Sequence, residues 1–148
     1  MQKTAKKMMM IGRSGAGKTT LCQFLNQQEL AYHKTQYVQV IGENMIDTPG
    51  EYTERRSRYS SLQITSADAA VIVFVKDATE PGSIFPPGFS SMFAKPAVGV
   101  ITKADLADPQ MLQKAERFLK LAGAKQSFAV SCVTGEGFEE LIRFIQNL

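Results

Sequence analysis

The octapeptide Gly12-Arg13-Ser14-Gly15-Ala16-Gly17-Lys18-Thr19 constrains the fold of this chain more than any other stretch. It satisfies G-x-x-x-x-G-K-[ST] and stands between a strand-like run, Lys7 to Ile11, and a segment with helical spacing of apolar residues, Lys18 to Asn26. Glycines let the backbone wrap close to a phosphate chain, so that successive N–H groups and the amino end of the helix face anionic oxygens. Gly12, Ser14, Gly15, Ala16, Gly17, Lys18, Thr19 and Thr20 are therefore the candidate phosphate-binding residues. Lys18 is also a candidate catalytic group because it reaches the β and γ phosphates, and Thr19 offers its hydroxyl to Mg²⁺.

The remainder of the chain supplies a frame of matching type. Short apolar runs at Lys7 to Ile11, Tyr37 to Ile41, Met45 to Asp47, Ala69 to Val75, Val98 to Thr102 and Phe128 to Ser131 read as strands. They alternate with helix-spaced segments at Lys18 to Asn26, Arg58 to Ser66, Pro109 to Ala122 and Gly137 to Leu148. That alternation predicts an α/β fold whose first, fourth and fifth strands, apolar almost throughout, are central. Asp108 before Pro109 is a helix start signal and Gly123 a stop. The segment from Pro81 to Pro96, rich in proline, reads as a loop leading into a short helix near Phe89 to Phe93.

At 148 residues the chain has the length of one domain, and one nucleotide site is expected. The 17 basic and 14 acidic residues leave a net charge of +3, which calls for no nucleic-acid partner. Cys22 and Cys132 form no C-x-x-C pair and no cluster with His33, so two reduced thiols are expected. The basic start, with Lys3, Lys6 and Lys7, reads as a solvated tail, and the apolar run Met8 to Ile11 is too brief for a signal segment or a membrane span. A cytoplasmic location without membrane insertion follows as the expectation.

A second motif, Asp47-Thr48-Pro49-Gly50, follows the strand-like Met45-Ile46. A D-x-x-G at a strand end can hold the metal and sense the γ phosphate: Asp47 binds Mg²⁺ through a water, and Gly50 presents its N–H to the γ phosphate. A third, Thr102-Lys103-Ala104-Asp105, follows Val98 to Ile101 and matches the [NT]-K-x-D pattern that reads guanine. A carboxylate at Asp105 accepts the ring N–H and the exocyclic amine of guanine, whereas adenine leaves it facing a lone pair. Lys103 lays its stem along the base, and the turn Ser131-Cys132-Val133 offers a backbone N–H to the guanine oxygen. Between the first two motifs, Thr35 is either a switch residue completing the Mg²⁺ shell or a plain threonine before a strand.

With these motifs in order, the chain resembles the translation-factor-like branch of small P-loop GTPases over nearly its whole length. More narrowly it resembles the family of ethanolamine-utilisation protein P and propanediol-utilisation protein V, from bacterial microcompartment operons. The narrow resemblance rests on the Gly12 to Leu21, Lys34 to Gln36, Ile46 to Tyr52 and Ile101 to Asp105 segments, of which the middle two are the more telling. The broad resemblance implies a six-stranded, mostly parallel sheet with helices on both faces and nucleotide at the carboxyl ends of the strands. The narrow one implies a protein working beside microcompartments, with a shell protein or enzyme as partner, and carries an assigned acetate kinase activity that uses ATP.

Two positions depart from the hydrolytic pattern of well-studied small GTPases. Glu51 stands after Gly50 where many of them place a water-orienting glutamine, which makes Gly50 and Glu51 candidate catalytic residues. Ser14 takes a loop position often held by glycine, close to where an attacking water lies. Slow intrinsic hydrolysis, or an acceptor other than water, is the expectation. Arg55, Arg56 and Arg58 follow, either a solvated basic turn or a source of charge for the transition state. Three readings result: a regulatory GTPase using GTP and GDP, a kinase passing phosphate from ATP to acetate, and a nucleotide-dependent adaptor for shell proteins.

Overall fold

The computed structural model describes residues 7–33 and 45–148. Met8–Ile11 (β1), four fully buried apolar residues, leads through the glycine loop into the helix Lys18–His33 (α1), seven residues longer than the sequence expectation. The chain continues through Met45–Asp47 (β2), Gly50–Glu54 (α2), Tyr59–Thr65 (α3), Val71–Asp77 (β3) and Ala97–Thr102 (β4). It ends with Pro109–Ala122 (α4), Ser127–Ala129 (β5) and Phe138–Gln146 (α5).

The five strands pair in the order β2-β1-β3-β4-β5, every pair parallel. Five strands replace the expected six among the described residues; the sixth, Tyr37 to Ile41, lies outside them. Strand order reverses at β1, whose neighbours β2 and β3 follow it on opposite sides, so a crevice opens beyond its carboxyl end. The glycine loop occupies that point.

Alternation along the strands sends the core to both faces. Met8 and Met10, with Val71, Val73, Val75, Val98 and Val100, pack on Leu21 and Leu25 of α1 and on Phe138 and Leu141 of α5. Met9, Ile11, Ile72 and Phe74 pack on Leu62 of α3, Ala115 and Leu119 of α4, and on Phe85, Phe89 and Phe93 from the long loop after β3. Each fully buried leucine or phenylalanine here contributes about 1.5–3 kcal/mol by leaving water.

Several boundaries differ from the sequence expectation, for physical reasons. The apolar run of β3 stops at Val75, but pairing continues through Lys76 with Ile101 and Asp77 with Thr102. The buried Lys76 ammonium is satisfied by the carbonyls of Glu80 and Gly82, which tethers the following loop. The short helix expected near Phe89 to Phe93 is a 3-10 turn over Phe89–Met92. Helix α4 starts and stops where the sequence places it: the Asp108 carboxylate accepts from Met111 N–H at 2.8 Å, and Gly123 ends it at φ 107°.

Candidate functional site

The glycine loop folds as its motif requires. Gly15 and Gly17 take φ values of 83° and 95°, a left-handed alternation that turns consecutive N–H groups inward and would strain any other residue. Gly12 is needed for space: a Cβ there would stand 2.5 Å from the Val75 carbonyl oxygen of β3. Lys18 is 6% exposed, and its ammonium donates to the carbonyls of Gly12 at 2.7 Å and Arg13 at 3.0 Å. Burial pulls it below its ordinary pKa, and the charges of Asp47 and Glu54 offset part of that shift.

At the amino end of α1, Thr19 Oγ1 donates to Asp47 Oδ2 at 2.7 Å. The two residues lie 28 positions apart and are joined by the parallel pairing of β1 with β2, in which Met10 stands beside Asp47. A hydroxyl and a carboxylate oxygen, both exposed at the mouth of an anion-binding loop, fit the hard-oxygen preference of Mg²⁺. Thr48, buried, ties the next turn to β1 by donating to the Met10 carbonyl at 2.8 Å. Thr35, the third proposed metal ligand, lies outside the described residues. Thr20 is exposed on the first turn of α1.

The third motif sits beside the loop. Buried Thr102 donates to the Ala16 carbonyl at 2.7 Å, fastening the glycine loop to the end of β4. Lys103 adopts φ 60°, the one described non-glycine residue at positive φ. Its ammonium bridges the Asp77 carboxylate at 2.7 Å and the Gly15 carbonyl at 3.4 Å, so its side chain links the turn after β4 to the glycine loop. Burial pushes the Asp77 carboxyl up, but hydrogen bonds from Lys103 and then from Thr79 outweigh it and hold the group below its ordinary pKa. Asp77 had no sequence signal of its own, since it follows an apolar run without any motif.

Asp105 lies exposed on a 3-10 turn, Ala104–Leu106, and accepts from the Ser131 hydroxyl at 2.8 Å. Ser131 thus reaches Asp105 through its side chain. Its own N–H donates to Glu136 O at 3.0 Å, and its Oγ accepts from the N–H groups of Val133 and Thr134. Among the described residues this leaves the Cys132 N–H as the donor of the turn open to a ligand oxygen. The Cys132 thiol is pushed up by burial and by the nearby Asp105 charge. Cys22 is pushed up to about 12, chiefly by burial, and both cysteines are free. No group of three or more metal-ligating His, Cys, Asp or Glu side chains occurs among the described residues.

After the D-x-x-G turn, Gly50 is the first residue of the one-turn helix α2, an element that the sequence reading does not contain. It presses on the glycine loop so closely that a Cβ would collide with the backbone and hydroxyl of Ser14. The Glu51 carbonyl accepts from Arg55 N–H at 3.0 Å, while its exposed side chain makes no hydrogen bond or ion pair among the described residues. Glu54 is the acid that meets the loop, its Oε2 accepting from Ser14 Oγ at 3.0 Å and from Ser14 N–H at 3.3 Å. Hydrogen bonding from the Ser14 N–H and then its hydroxyl holds the Glu54 carboxyl below its ordinary pKa. Arg55, Arg56 and Arg58 are exposed, with Arg58 5.9 Å above the Tyr52 ring.

The recess at the outer side of the loop, about 220 Å³, is lined by Arg13, Ser14, Gly15 and Ala16 against Asp77, Thr79 and Glu80, and Arg13 closes it by an ion pair with Glu80 at 3.0 Å. A wider cleft of about 590 Å³ between α4 and β5 contains none of the motif residues. Size does not decide between them: the first borders the glycine loop, with the Asp77 and Glu80 carboxylates in its wall, and the second lies away from every motif.

A parallel sheet with a phosphate loop at its switch point, a D-x-x-G turn beside it and a T-K-x-D turn across from it defines a P-loop domain of the GTPase type. Solved structures agree on the fold. The translation elongation factor SelB from Methanococcus maripaludis, in complex with the GTP analogue GppNHp, superposes with a TM-score of 0.67 at 20% identity. That match covers 99% of this chain and 34% of SelB, about a third of the factor's length. The FeoB G-domain from Methanococcus jannaschii gives 0.65 at 19% identity, covering 97% of both chains. The family model described as ethanolamine utilisation - propanediol utilisation matches residues 5–147, and the chain belongs to that family. It is 41% identical over 140 residues to the propanediol utilization protein PduV of Citrobacter freundii, covering 95% of this chain and 93% of the relative. It is 28% identical over 144 residues to the probable acetate kinase EutP of Escherichia coli K12, covering 97% and 91%. No helix of the described residues is long and apolar enough to cross a membrane.

Proposed function

We propose that this protein is a slow, Mg²⁺-dependent GTPase that serves propanediol or ethanolamine utilisation, working in the cytoplasm beside a microcompartment shell or enzyme partner. The observation that carries the guanine assignment is the pairing of Ser131 with Asp105 across from the Lys103 bridge. It presents a carboxylate, already oriented by a buried serine, where a base lying along Lys103 offers its Watson–Crick edge. Guanine supplies two donors to that carboxylate; adenine leaves it unpaired at a cost of about 1–3 kcal/mol or more.

At the other end of the nucleotide, the loop N–H groups cradle the phosphates and Lys18 exchanges its two carbonyl partners for β and γ oxygens. Thr19 and Asp47 would hold a Mg²⁺, which would supply positive charge to the phosphates during transfer. Gly50 N–H, poised at the start of α2, reports whether a γ phosphate is present, and movement of α2 on its loss carries the state to a partner.

A second reading is favoured by the relatives whose names include acetate kinase, three of them at 27% to 28% identity. It requires ATP and a carboxylate acceptor. Purified protein incubated with Mg²⁺ and GTP or ATP, with and without acetate, separates the two when both inorganic phosphate and acetyl phosphate are followed. Phosphate released from GTP at a rate indifferent to acetate supports the GTPase; acetyl phosphate formed from ATP replaces it with the kinase.

A further inference from the structure

We infer that Glu54, and not Glu51, is the acid that orients the acceptor of the terminal phosphoryl group, and that its charge selects water over an anionic acceptor. The inference rests on the GTPase reading above and deepens it. Helix α2 is a single turn, so Gly50 and Glu54, four residues apart, share one face while Glu51 is carried about 100° round the axis. That shared face abuts the glycine loop, because Gly50 has no room for a Cβ against Ser14. The Glu54 carboxylate ends at the Ser14 N–H and hydroxyl, near enough to Lys18 and Arg13 for each charge to act on the other. It therefore sits at the γ-phosphate end of the site, on the side from which an acceptor approaches.

A water held there donates one hydrogen bond to the Glu54 carboxylate and the other to Ser14 Oγ, whose own proton stays directed at Glu54, so that a lone pair of the water faces the γ phosphorus. Its oxygen forms the new bond to the γ phosphorus while the bond from that phosphorus to the β–γ bridging oxygen breaks, the electron pair leaving with GDP. The proton released goes to the Glu54 carboxylate and from there to inorganic phosphate or solvent, so atoms and charge balance without another reactant. An acceptor carboxylate has no proton to give and meets a like charge instead, which disfavours it.

The test measures single-turnover GTP hydrolysis with Mg²⁺ and, separately, GTP affinity by calorimetry, for the wild-type protein, Glu54→Gln, Glu54→Asp and Glu51→Gln. The expected result is a rate about tenfold or more lower in Glu54→Gln with affinity within roughly threefold of wild type, partial recovery in Glu54→Asp, and a smaller loss in Glu51→Gln. A Glu54→Gln protein that turns over at the wild-type rate overturns the inference, and tighter binding at an unchanged rate identifies Glu54 as a mere competitor of the phosphate. A larger loss in Glu51→Gln, no turnover by a wild type that binds GTP, or acetyl phosphate made by the wild type in acetate overturns it equally. Wild-type protein that binds no GTP overturns the GTPase reading and the inference together.

Discussion

Ser131 donates its hydroxyl to the Asp105 carboxylate at 2.8 Å, a bond that joins the turn after β5 to the turn after β4 across 26 residues of sequence. Ser131 is fully buried, so the bond fixes the carboxylate from below while its exposed edge stays open to a ligand. Replacing Ser131 by alanine removes about 1 kcal/mol of orientation. GDP affinity is expected to fall roughly fivefold while ADP affinity stays where it is, as read by competition against a fluorescent guanine nucleotide.

Lys103 is held at φ 60° with its ammonium on Asp77, and in the proposed function its stem lies along the base. Asp77→Asn is expected to weaken GDP binding without unfolding the protein. Stability gives the pH signature. The Asp77 carboxyl is held below its ordinary value, so its contribution is present above the unfolded carboxylate pKa near 4 and is lost as pH falls through the lower folded value. With Lys103 41% exposed, solvent limits that contribution to about 1 kcal/mol. Thermal melting should therefore drop more steeply on acidification below about pH 4 in the wild type than in Asp77→Asn.

Gly12 faces the Val75 carbonyl with no space for a methyl group. Gly12→Ala must push β1 from β3 or the loop from both, at a cost of about 1–3 kcal/mol. The expected outcome is a lowered melting temperature together with loss of nucleotide protection against heat.

Thr19 and Asp47 meet at 2.7 Å, and the proposed Mg²⁺ site rests on that pair. In the wild type, removing Mg²⁺ with a chelator should weaken GTP binding. In Asp47→Asn the gain in GTP affinity on adding Mg²⁺ should shrink about tenfold or more, with metal-free affinity little changed. An undiminished Mg²⁺ effect in that variant would place the cation elsewhere.

The parts of this site that were legible in sequence are those whose chemistry is local. The glycine loop is one continuous octapeptide whose backbone needs dictate its residues, and Asp47 and Asp105 each follow an apolar run that marks a strand end. What escaped reading depends on contacts between distant segments. Glu54 is an ordinary surface acid until a one-turn helix places it over Gly50 and Gly50 presses on Ser14. Asp77 lies beyond the point where the β3 apolar run stops, and only the pairing with β4 carries it to Lys103. The sequence marks the turn Ser131-Cys132-Val133 as a source of a backbone N–H but not which one; the Ser131 N–H is spent on the Glu136 carbonyl, a closure within the turn that no spacing reveals.

The most direct test of the central claim is calorimetric titration of the nucleotide-free protein with GTP, GDP, ATP and ADP in the presence of Mg²⁺. The account predicts guanine nucleotides bound about a hundredfold or more tightly than adenine nucleotides, with the preference falling sharply in Asp105→Ala. Equal binding of the two bases, or tighter binding of ATP, would contradict it.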